Sequence, residues 1–400
     1  MRGYFKRGGG TRTRLGLGNA LSKSRRSLPR SLFSNNKSLN FDGTDDYVDL
    51  GNDFQSITEG GTRTVSAWVK AASTDPTDEA NRGRIFTMYR ANDSTSFAIH
   101  AEGSSAPANW YCMYRRTGNV FVNVNSGVNI TTEWTHLALT QNNSDLKFYI
   151  NGAVQASKTD ATYDWSASSP AVIGAHLTAS TNNQEFSGNI DEVAIWNTAL
   201  DADAITAIYN SGTPISLSSD SGDYDNSSNL QGYWRMGDGT LDTYPLIADQ
   251  TNATLGSNLI TNGDFSGGLV GDWAVGGAPA NWSVVDGQLV AAGSSANLQY
   301  NSHPVYPISS GALYKVTYDL TVSSGLTPTW KVGNGSTVTP TQGTNQVSYC
   351  VAGSVGYHVV QLSTHSSFQG TVDNISVNKV NGNAGLMTNM VSGDIEEETP

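Results

Sequence analysis

The chain has 400 residues, enough for at least two hydrophobic cores, because single cores stop growing near about 250–300 residues. Only 14% of the residues are charged and 42 are Gly, with Ser, Thr and Asn at the polar positions, a balance that favours strands and turns and excludes a helical bundle or coiled coil. The net charge of −12 is unevenly divided: ten of the 23 basic residues and none of the 35 acidic ones fall in residues 1–39, leaving 13 against 35 in the rest.

The basic residues of this first segment include Arg2, Lys6, Arg7, Arg12, Arg14, Arg25, Arg26 and Arg30. So basic and Gly-rich a stretch buries too little apolar surface to offset its own ordering entropy, so residues 1–37 are expected to be a disordered arm that attaches to a partner or targets the chain. Gly8-Gly9-Gly10 follows the basic start and no apolar run of about 7–15 residues comes after it, which argues against a secretory signal. The same glycines spoil the amphipathic helix of a mitochondrial presequence. Nucleic acid is the weaker partner for the arm, since no reading domain follows it. No apolar run approaches the roughly 18 residues that span a bilayer, so no membrane insertion is expected.

From Ser38 the pattern changes to short apolar alternations punctuated by Gly, Asn, Asp and Ser, which predicts an antiparallel sandwich. Strands are expected at 64–69, 85–89, 97–100, 110–114, 120–124, 134–140 and 146–150. Asn151-Gly152 supplies the two positive-φ residues of a tight hairpin into Ala153-Val154. Asp201 is placed to cap a short helix whose Ile205, Ile208 and Tyr209 share a face, with Gly212 as its left-handed stop. Residues 213–228 read as a long surface loop. A second strand-rich region follows, with strands at 282–285, 288–291, 314–320, 356–362 and 370–377. Cys112 and Cys350 are far apart and read as two small apolar strand residues. The fold class expected is all-β, two antiparallel jelly-roll sandwiches behind a basic arm.

Several ordered motifs carry a family resemblance. Asn40, Phe41, Asp42 and Gly43 with Tyr47 and Val48, then residues 64–69, Trp134, Phe148-Tyr149-Ile150-Asn151-Gly152, and Phe186 through Asp191, Glu192 and Trp196 to Gly212, resemble the laminin G-like branch of the concanavalin A-like lectin/glucanase superfamily. The resemblance implies a two-sheet jelly roll, and many members bind carbohydrate, some with calcium. Asn262-Gly263-Asp264-Phe265, Trp273, Trp282, residues 314–318 and residues 370–377 resemble a galactose-binding-like carbohydrate-binding module. Ser266 stands where such modules usually carry an acid. Residues 230–239 and 248–252 resemble a segment that, in laminin G-like proteins of marine tailed phages, runs directly into one like 385–394. The expected organisation is therefore an arm at 1–37, a first jelly roll at 38–253 completed by 383–400, and an inserted second jelly roll at 256–382.

Glucanases of this superfamily need two carboxylates about 5.5 Å apart for retention. Asp191-Glu192 are adjacent, and adjacent strand residues point to opposite faces, so no enzyme activity is expected. Hard cations want several oxygen ligands, which makes Asp42, Asp45 and Asp191 candidate calcium ligands in the first jelly roll, and Asp264 and Asp373 in the second. The competing reading is that these acids make Asx turns. Sugars need aromatic platforms fringed by polar groups, for which Trp110, Tyr111 and Tyr114 with Arg115 and Arg116, and Trp273, Trp282 and Trp330, are candidates. Most aromatics in a sandwich are core, as Trp68, Trp134 and Trp196 are expected to be.

The expected function is that of a virion structural protein on a phage surface, a capsid decoration, fibre or spike subunit assembled in the host cytoplasm. Its arm binds capsid or tail protein, its lectin-like domains meet cell-surface polysaccharide, and the chain forms a homo-oligomer. The alternative is a secreted bacterial polysaccharide-binding adhesin.

Overall fold

The computed structural model describes residues 33–51, 61–75, 82–89, 95–104, 106–116, 120–159, 171–177, 182–269, 273–275, 281–294, 297–300, 308–354, 359–364 and 367–400. Contacts divide the chain into residues 1–34 and residues 35–400. All the anchoring residues named for the arm, from Arg2 to Arg30, lie outside the described residues.

In chain order, the strands up to the middle of the chain are β1 (Ser38–Asp42), β2 (Tyr47–Asp49), β3 (Thr62–Ala71), β4 (Arg82–Tyr89), β5 (Thr95–Glu102), β6 (Asn109–Arg116), β7 (Val120–Asn129), β8 (Thr135–Asn142), β9 (Asp145–Ile150), β10 (Ala153–Lys158), β11 (Ala171–Ile173), β12 (His176–Leu177), β13 (Asn182–Asn183), β14 (Ser187–Trp196), β15 (Leu230–Trp234) and β16 (Leu246–Ile247). Helix α1 (Ala202–Tyr209) lies between β14 and β15. Then come β17 (Trp273–Val275), β18 (Trp282–Val285), β19 (Gln288–Ser294), β20 (Leu298–Tyr300), β21 (Leu313–Ser324), β22 (Thr329–Val332), β23 (Gly343–Val351), β24 (Val360–Ser363), β25 (Phe368–Lys379), β26 (Gly385–Thr388) and β27 (Ile395–Glu396). Among the described residues the protein is all-β apart from this short α-helix and three single-turn 3-10 helices, and no described helix is long and apolar enough to cross a membrane.

One sheet runs β10-β9-β8-β3-β14-β1-β27, with β15 also on β14, and it faces a second sheet β16-β26-β2-β11-β4-β5-β6-β7 across one apolar core. A separate core joins a four-stranded sheet, β17-β20-β24-β22, to a five-stranded one, β18-β19-β25-β21-β23. The free thiols Cys112 and Cys350 are buried, one in each core.

The last residues of the chain belong to the first core. β26 pairs with both β2 and β16, β27 pairs with β1, and Met387 and Met390 pack in the cluster that holds Trp234. Trp234 Nε1 donates to the Asn383 carbonyl at 2.8 Å. Buried Asp249 accepts from the backbone N–H of Tyr233, Thr251 and Asn383 at 3.0, 3.0 and 3.1 Å, tying three segments together. The chain leaves this core at Leu255 and returns at Val380, and these two residues face each other in an antiparallel bridge.

Both sandwiches use the same bulged strand. In β14, Gly188 is followed three residues later by Asp191 and then by Glu192 at φ 48°; in β25, Gly370 is followed by Asp373 and then by Asn374 at φ 51°. Each Asp accepts the N–H of the next residue through its own Oδ1, at 2.7 and 2.8 Å, which holds the positive-φ bulge. The glycines are required by close approach: a Cβ would stand 2.2 Å from the Lys70 carbonyl oxygen at Gly188, and 1.9 Å from that of Thr321 at Gly370.

The helix starts as the sequence indicates, with Asp201 accepting from Ala204 N at 2.8 Å, but its left-handed stop is Asn210, φ 43°, two residues before Gly212. Asn can take this conformation because its short side chain bonds locally, here to the Thr213 carbonyl. Residues 213–228 are more than a surface loop. Tyr224 is buried, accepts from Trp196 Nε1 and donates to the Leu217 carbonyl, so this segment roofs an outer apolar cluster with α1.

Candidate functional site

The period of two in β6 sends Trp110, Cys112 and Tyr114 into the core and leaves Tyr111, Met113 and Arg115 on the outer face of the second sheet. In β7, Val122 and Val124 turn inward, so Phe121, Asn123 and Asn125 stand outside. Register then builds rows across the strands. Arg82 lies opposite Glu102, Arg84 opposite His100 and His100 opposite Tyr111, which faces Asn125; Met113 faces Asn123, and Arg115 faces Phe121.

A groove of about 310 Å³ opens on this face, lined by Arg82, Arg84, Met113, Phe121, Asn123, His176 and Gln184. That volume lies within the range of about 300–1,000 Å³ common for small-molecule sites. Phe121 is 53% exposed, with the Arg115 guanidinium 3.8 Å from its ring centre. Arg84 is only 2% exposed; its Nε donates to Gln184 Oε1 at 2.7 Å and its backbone N–H to the Gln184 carbonyl.

Glu102 organises the groove from behind. Its Oε2 accepts from Arg82 Nε at 3.0 Å, from His100 Nε2 at 2.9 Å and from Asn123 Nδ2 at 2.6 Å. Burial would push this carboxyl up, but these hydrogen bonds hold it down at about 2, so it is a fixed anion. His100 is wholly buried, and burial with the nearby Arg84 charge lowers it to about 3; it is neutral, with its proton on Nε2 facing Glu102. His176 is lowered to about 4 by burial and by Arg84 and Arg82. Tyr111 stacks on His100 at 5.7 Å, and its hydroxyl accepts from Asn125 Nδ2.

Among the described residues that line the groove none is a carboxylate, and Glu102 behind them is held ionised by its donors. The adjacent acids Asp191 and Glu192 are 0% and 2% exposed, and the cavity beside Glu192 is about 10 Å³, room for one water.

Of the aromatic residues chosen from the sequence, Tyr111 stands on the same outer face, opposite His100 and Asn125, but is not among the described residues that line the groove. Trp110 and Tyr114 are core residues, as are Trp273, Trp282 and Trp330 of the second sandwich, so none of these five can be a sugar platform. Strand phase is the reason: Trp273 packs on Phe265 and Tyr300, Trp282 on Phe368 and Trp330 on Tyr318. Trp68 and Trp196 are buried, while Trp134 is half-buried just before β8. Arg115 is beside the groove, and the side chain of Arg116 is outside the described residues. Sequence reasoning passed over Phe121, Arg82, Arg84, Asn123 and Gln184. The signal for Phe121 is present: it is an aromatic on the polar phase of the Val120, Val122, Val124 alternation.

Among the described residues, Asp42, Asp45 and Asp46 bring their carboxylate oxygens within 4.8 Å of one another. Asp191 does not join them. Asp42 pairs with Ser187, four positions before Asp191, which puts Asp191 roughly 13 Å further along β14. There its Oδ2 accepts from Asn35 Nδ2 at 2.8 Å. Asp46 takes its place in the cluster, accepting from Asp42 N at 3.0 Å, and burial together with the charges of Asp42, Asp394 and Asp45 raises it to about 6. Asp42 also makes the Asx turn, accepting from Thr44 N at 2.7 Å. Asp264 and Asp373 do lie close enough to act on each other: Asp373 is raised by burial, by Asp319 and by Asp264. Asp264 forms an Asx turn with Ser266.

Residues 42–206 match the family model Laminin_G_3 of the concanavalin A-like lectin/glucanases superfamily, so the first sandwich has a lectin-like fold. No curated protein matches the chain. Among solved structures, a SAP-like pentraxin from Limulus polyphemus is 15% identical with a TM-score of 0.36, over 44% of this chain and 82% of that one. A putative carbohydrate binding protein from Bacteroides ovatus is 19% identical with a TM-score of 0.38, over 55% of this chain and 56% of that one. The CBM40 of a Ruminococcus gnavus IT-sialidase is 14% identical with a TM-score of 0.35, over 43% of this chain and 96% of that one.

Proposed function

We propose that the protein is a non-catalytic glycan-binding protein that works from the outer face of β4–β7. One observation carries this reading: an exposed Phe121 ring and the Met113 side chain stand beside the amides of Asn123 and Gln184 in a groove of small-ligand size. A sugar presents apolar C–H faces and a rim of hydroxyls, which these groups match. A glycan array probed with the full chain tests it. Phe121→Ala, at a 53% exposed position, is expected to leave the melting temperature unchanged and to weaken the best glycan at least tenfold. Undiminished binding by this variant removes the groove from the reading.

The finer reading is a virion surface protein, a capsid decoration, fibre or spike subunit, tethered by residues 1–37 to capsid or tail protein. Its support is the charge division, ten basic residues and no acid in residues 1–39 against an acidic remainder. Deleting residues 1–37 is expected to leave a folded body that no longer joins particles; unchanged incorporation refutes the tether.

Calcium is the cation that suits Asp42, Asp45 and Asp46, an all-oxygen set for a hard ion. Asp46, raised to about 6, must give up its proton to bind. The rise in melting temperature on adding calcium is therefore expected to be larger at pH 7 than at pH 5. No shift at either pH disposes of the metal.

A further inference from the structure

We infer that the groove reads a free sugar hydroxyl as a hydrogen-bond donor, and that Glu102 is the positioning residue that makes it do so by turning the carbonyl oxygen of Asn123 toward the glycan. This deepens the glycan-binding reading and rests on it, and it names the ligand class: glycans unsubstituted at the hydroxyl that meets Asn123.

The first observation is the hydrogen bond from Asn123 Nδ2 to Glu102 Oε2 at 2.6 Å. A side-chain amide has two unlike ends, a nitrogen that donates and an oxygen that accepts, and half a turn exchanges them at little steric cost. An ionised carboxylate only accepts. Burial works against the charge of Glu102, yet hydrogen bonds from His100, Arg82 and Asn123 hold its carboxyl at about 2, so it is an anion. A flipped amide would set the Asn123 carbonyl oxygen against that anion, two acceptors in contact. The nitrogen therefore faces Glu102 and the oxygen faces away from it. Asn123 is exposed and lines the groove, and among the described residues its amide makes no other hydrogen bond.

The second is that Glu102 is itself fixed. Its Oε2 also accepts from Arg82 Nε at 3.0 Å and from His100 Nε2 at 2.9 Å, and its Oε1 accepts from Arg82 Nη2 at 3.4 Å. The carboxylate is thus held by donors from β4, β5 and β7, and His100 is wholly buried. The Asn123 oxygen is preset before a glycan arrives, which spares the ordering cost of binding.

The third is that the next row has the opposite polarity for the same kind of reason. Asn125 Oδ1 accepts from the backbone N–H of Gly127 at 2.7 Å and from Asn109 Nδ2 at 3.1 Å. Its nitrogen therefore turns to the Tyr111 hydroxyl oxygen, 2.7 Å away, and the Tyr111 proton points elsewhere, ready to donate. Asn123 pairs with Met113 and Asn125 with Tyr111, two residues apart on each strand, so the acceptor row and the donor row are about 7 Å apart. Sugar hydroxyls can both donate and accept, so an unsubstituted sugar satisfies both rows. An ether, ester or sulfate at the same position has no proton to give Asn123.

The test has one part that needs no glycan. In nuclear magnetic resonance of the full chain, with the Asn123 side-chain amide assigned by Asn123→Ala, one of its protons is expected to exchange with solvent about tenfold more slowly than those of exposed Asn side chains. That protection should vanish in Glu102→Ala and return in part in Glu102→Gln, which still offers a carbonyl oxygen. Exchange as fast as in exposed Asn side chains overturns the inference. The second part is calorimetric titration with lactose, with cellobiose and with the neutral glycan that the array binds best, each beside its monodeoxyfluoro forms, since fluorine keeps the size of a hydroxyl and removes its proton. The expected result is a loss of about tenfold or more at one ring position in the wild type, absent in Asn123→Ala, a change at an exposed position that leaves the fold in place. Fluorinated forms that all bind as their parents do, or a loss that persists undiminished in Asn123→Ala, overturn the inference while leaving the glycan reading intact. Failure to bind any glycan at all overturns both readings.

Discussion

A chain ending at Val380 is expected to lose the first sandwich while the second still melts cooperatively. Truncation removes β26 from between β2 and β16, and β27 from beside β1. It also takes Met387 and Met390 out of the core and the Asn383 N–H and carbonyl away from Asp249 and Trp234. Large-to-small changes at single buried Met or Leu positions cost about 2–5 kcal/mol each. Two such losses with two missing strands exceed much of the roughly 5–15 kcal/mol by which a domain is stable. The reciprocal experiment is to excise residues 256–379 and join Leu255 to Val380, which already face each other. Calorimetry should show the first transition preserved and the second gone. Both transitions lost in the excised chain would mean that the two cores do not fold separately.

Glu192→Ala should cost about 3–5 kcal/mol, the range for breaking a buried ion pair from one side. Its Oε1 accepts from Arg235 Nε at 3.0 Å, its Oε2 contacts the Tyr233 hydroxyl, and all three side chains are largely buried. Removing the carboxylate leaves the Arg235 charge in a low-dielectric pocket. Burial raises Glu192 from its ordinary 4.5 to about 7, against the pull of Arg235. The folded chain therefore binds more protons than the unfolded one between those values, and this group's contribution to stability falls as pH rises from 4.5 to 7. Against Glu192→Gln, which does not titrate, wild-type stability should decline across that window and level off above it. Wild-type stability that instead rises with pH relative to Glu192→Gln would show the carboxyl to be lowered. Chemical denaturation at four pH values measures it.

Strand phase explains what could be read in advance. Residues 64–69 and 146–150 alternate cleanly, and the Asn151-Gly152 turn sits where the hairpin closes, at φ 50° and 79°. β6 is different, because both of its faces carry large side chains: Trp110, Cys112 and Tyr114 on one, Tyr111, Met113 and Arg115 on the other. Period alone cannot say which set is inside; the opposite sheet decides, and it takes the tryptophan. Arg82 and Arg84 were opaque for another reason. β4 begins at Arg82, three residues before its apolar run, and a bulge between Arg84 and Phe86 brings them into the groove. Asp42 and Asp45 were legible as neighbours in one loop because they are local, whereas Asp46, which completes the cluster, reads from sequence only as part of an Asx turn. Asp191 belongs elsewhere through a register that residue types do not encode.

The position of β1 has a mechanical consequence. It is hydrogen-bonded on one side to β14 and on the other to β27, antiparallel to both. A pull transmitted through Asn35 along the strand axis would not peel bonds one at a time, as at a free hairpin end. It would load both rows together in shear, with the Asn35–Asp191 and Lys37–Asp238 hydrogen bonds as the first to bear it.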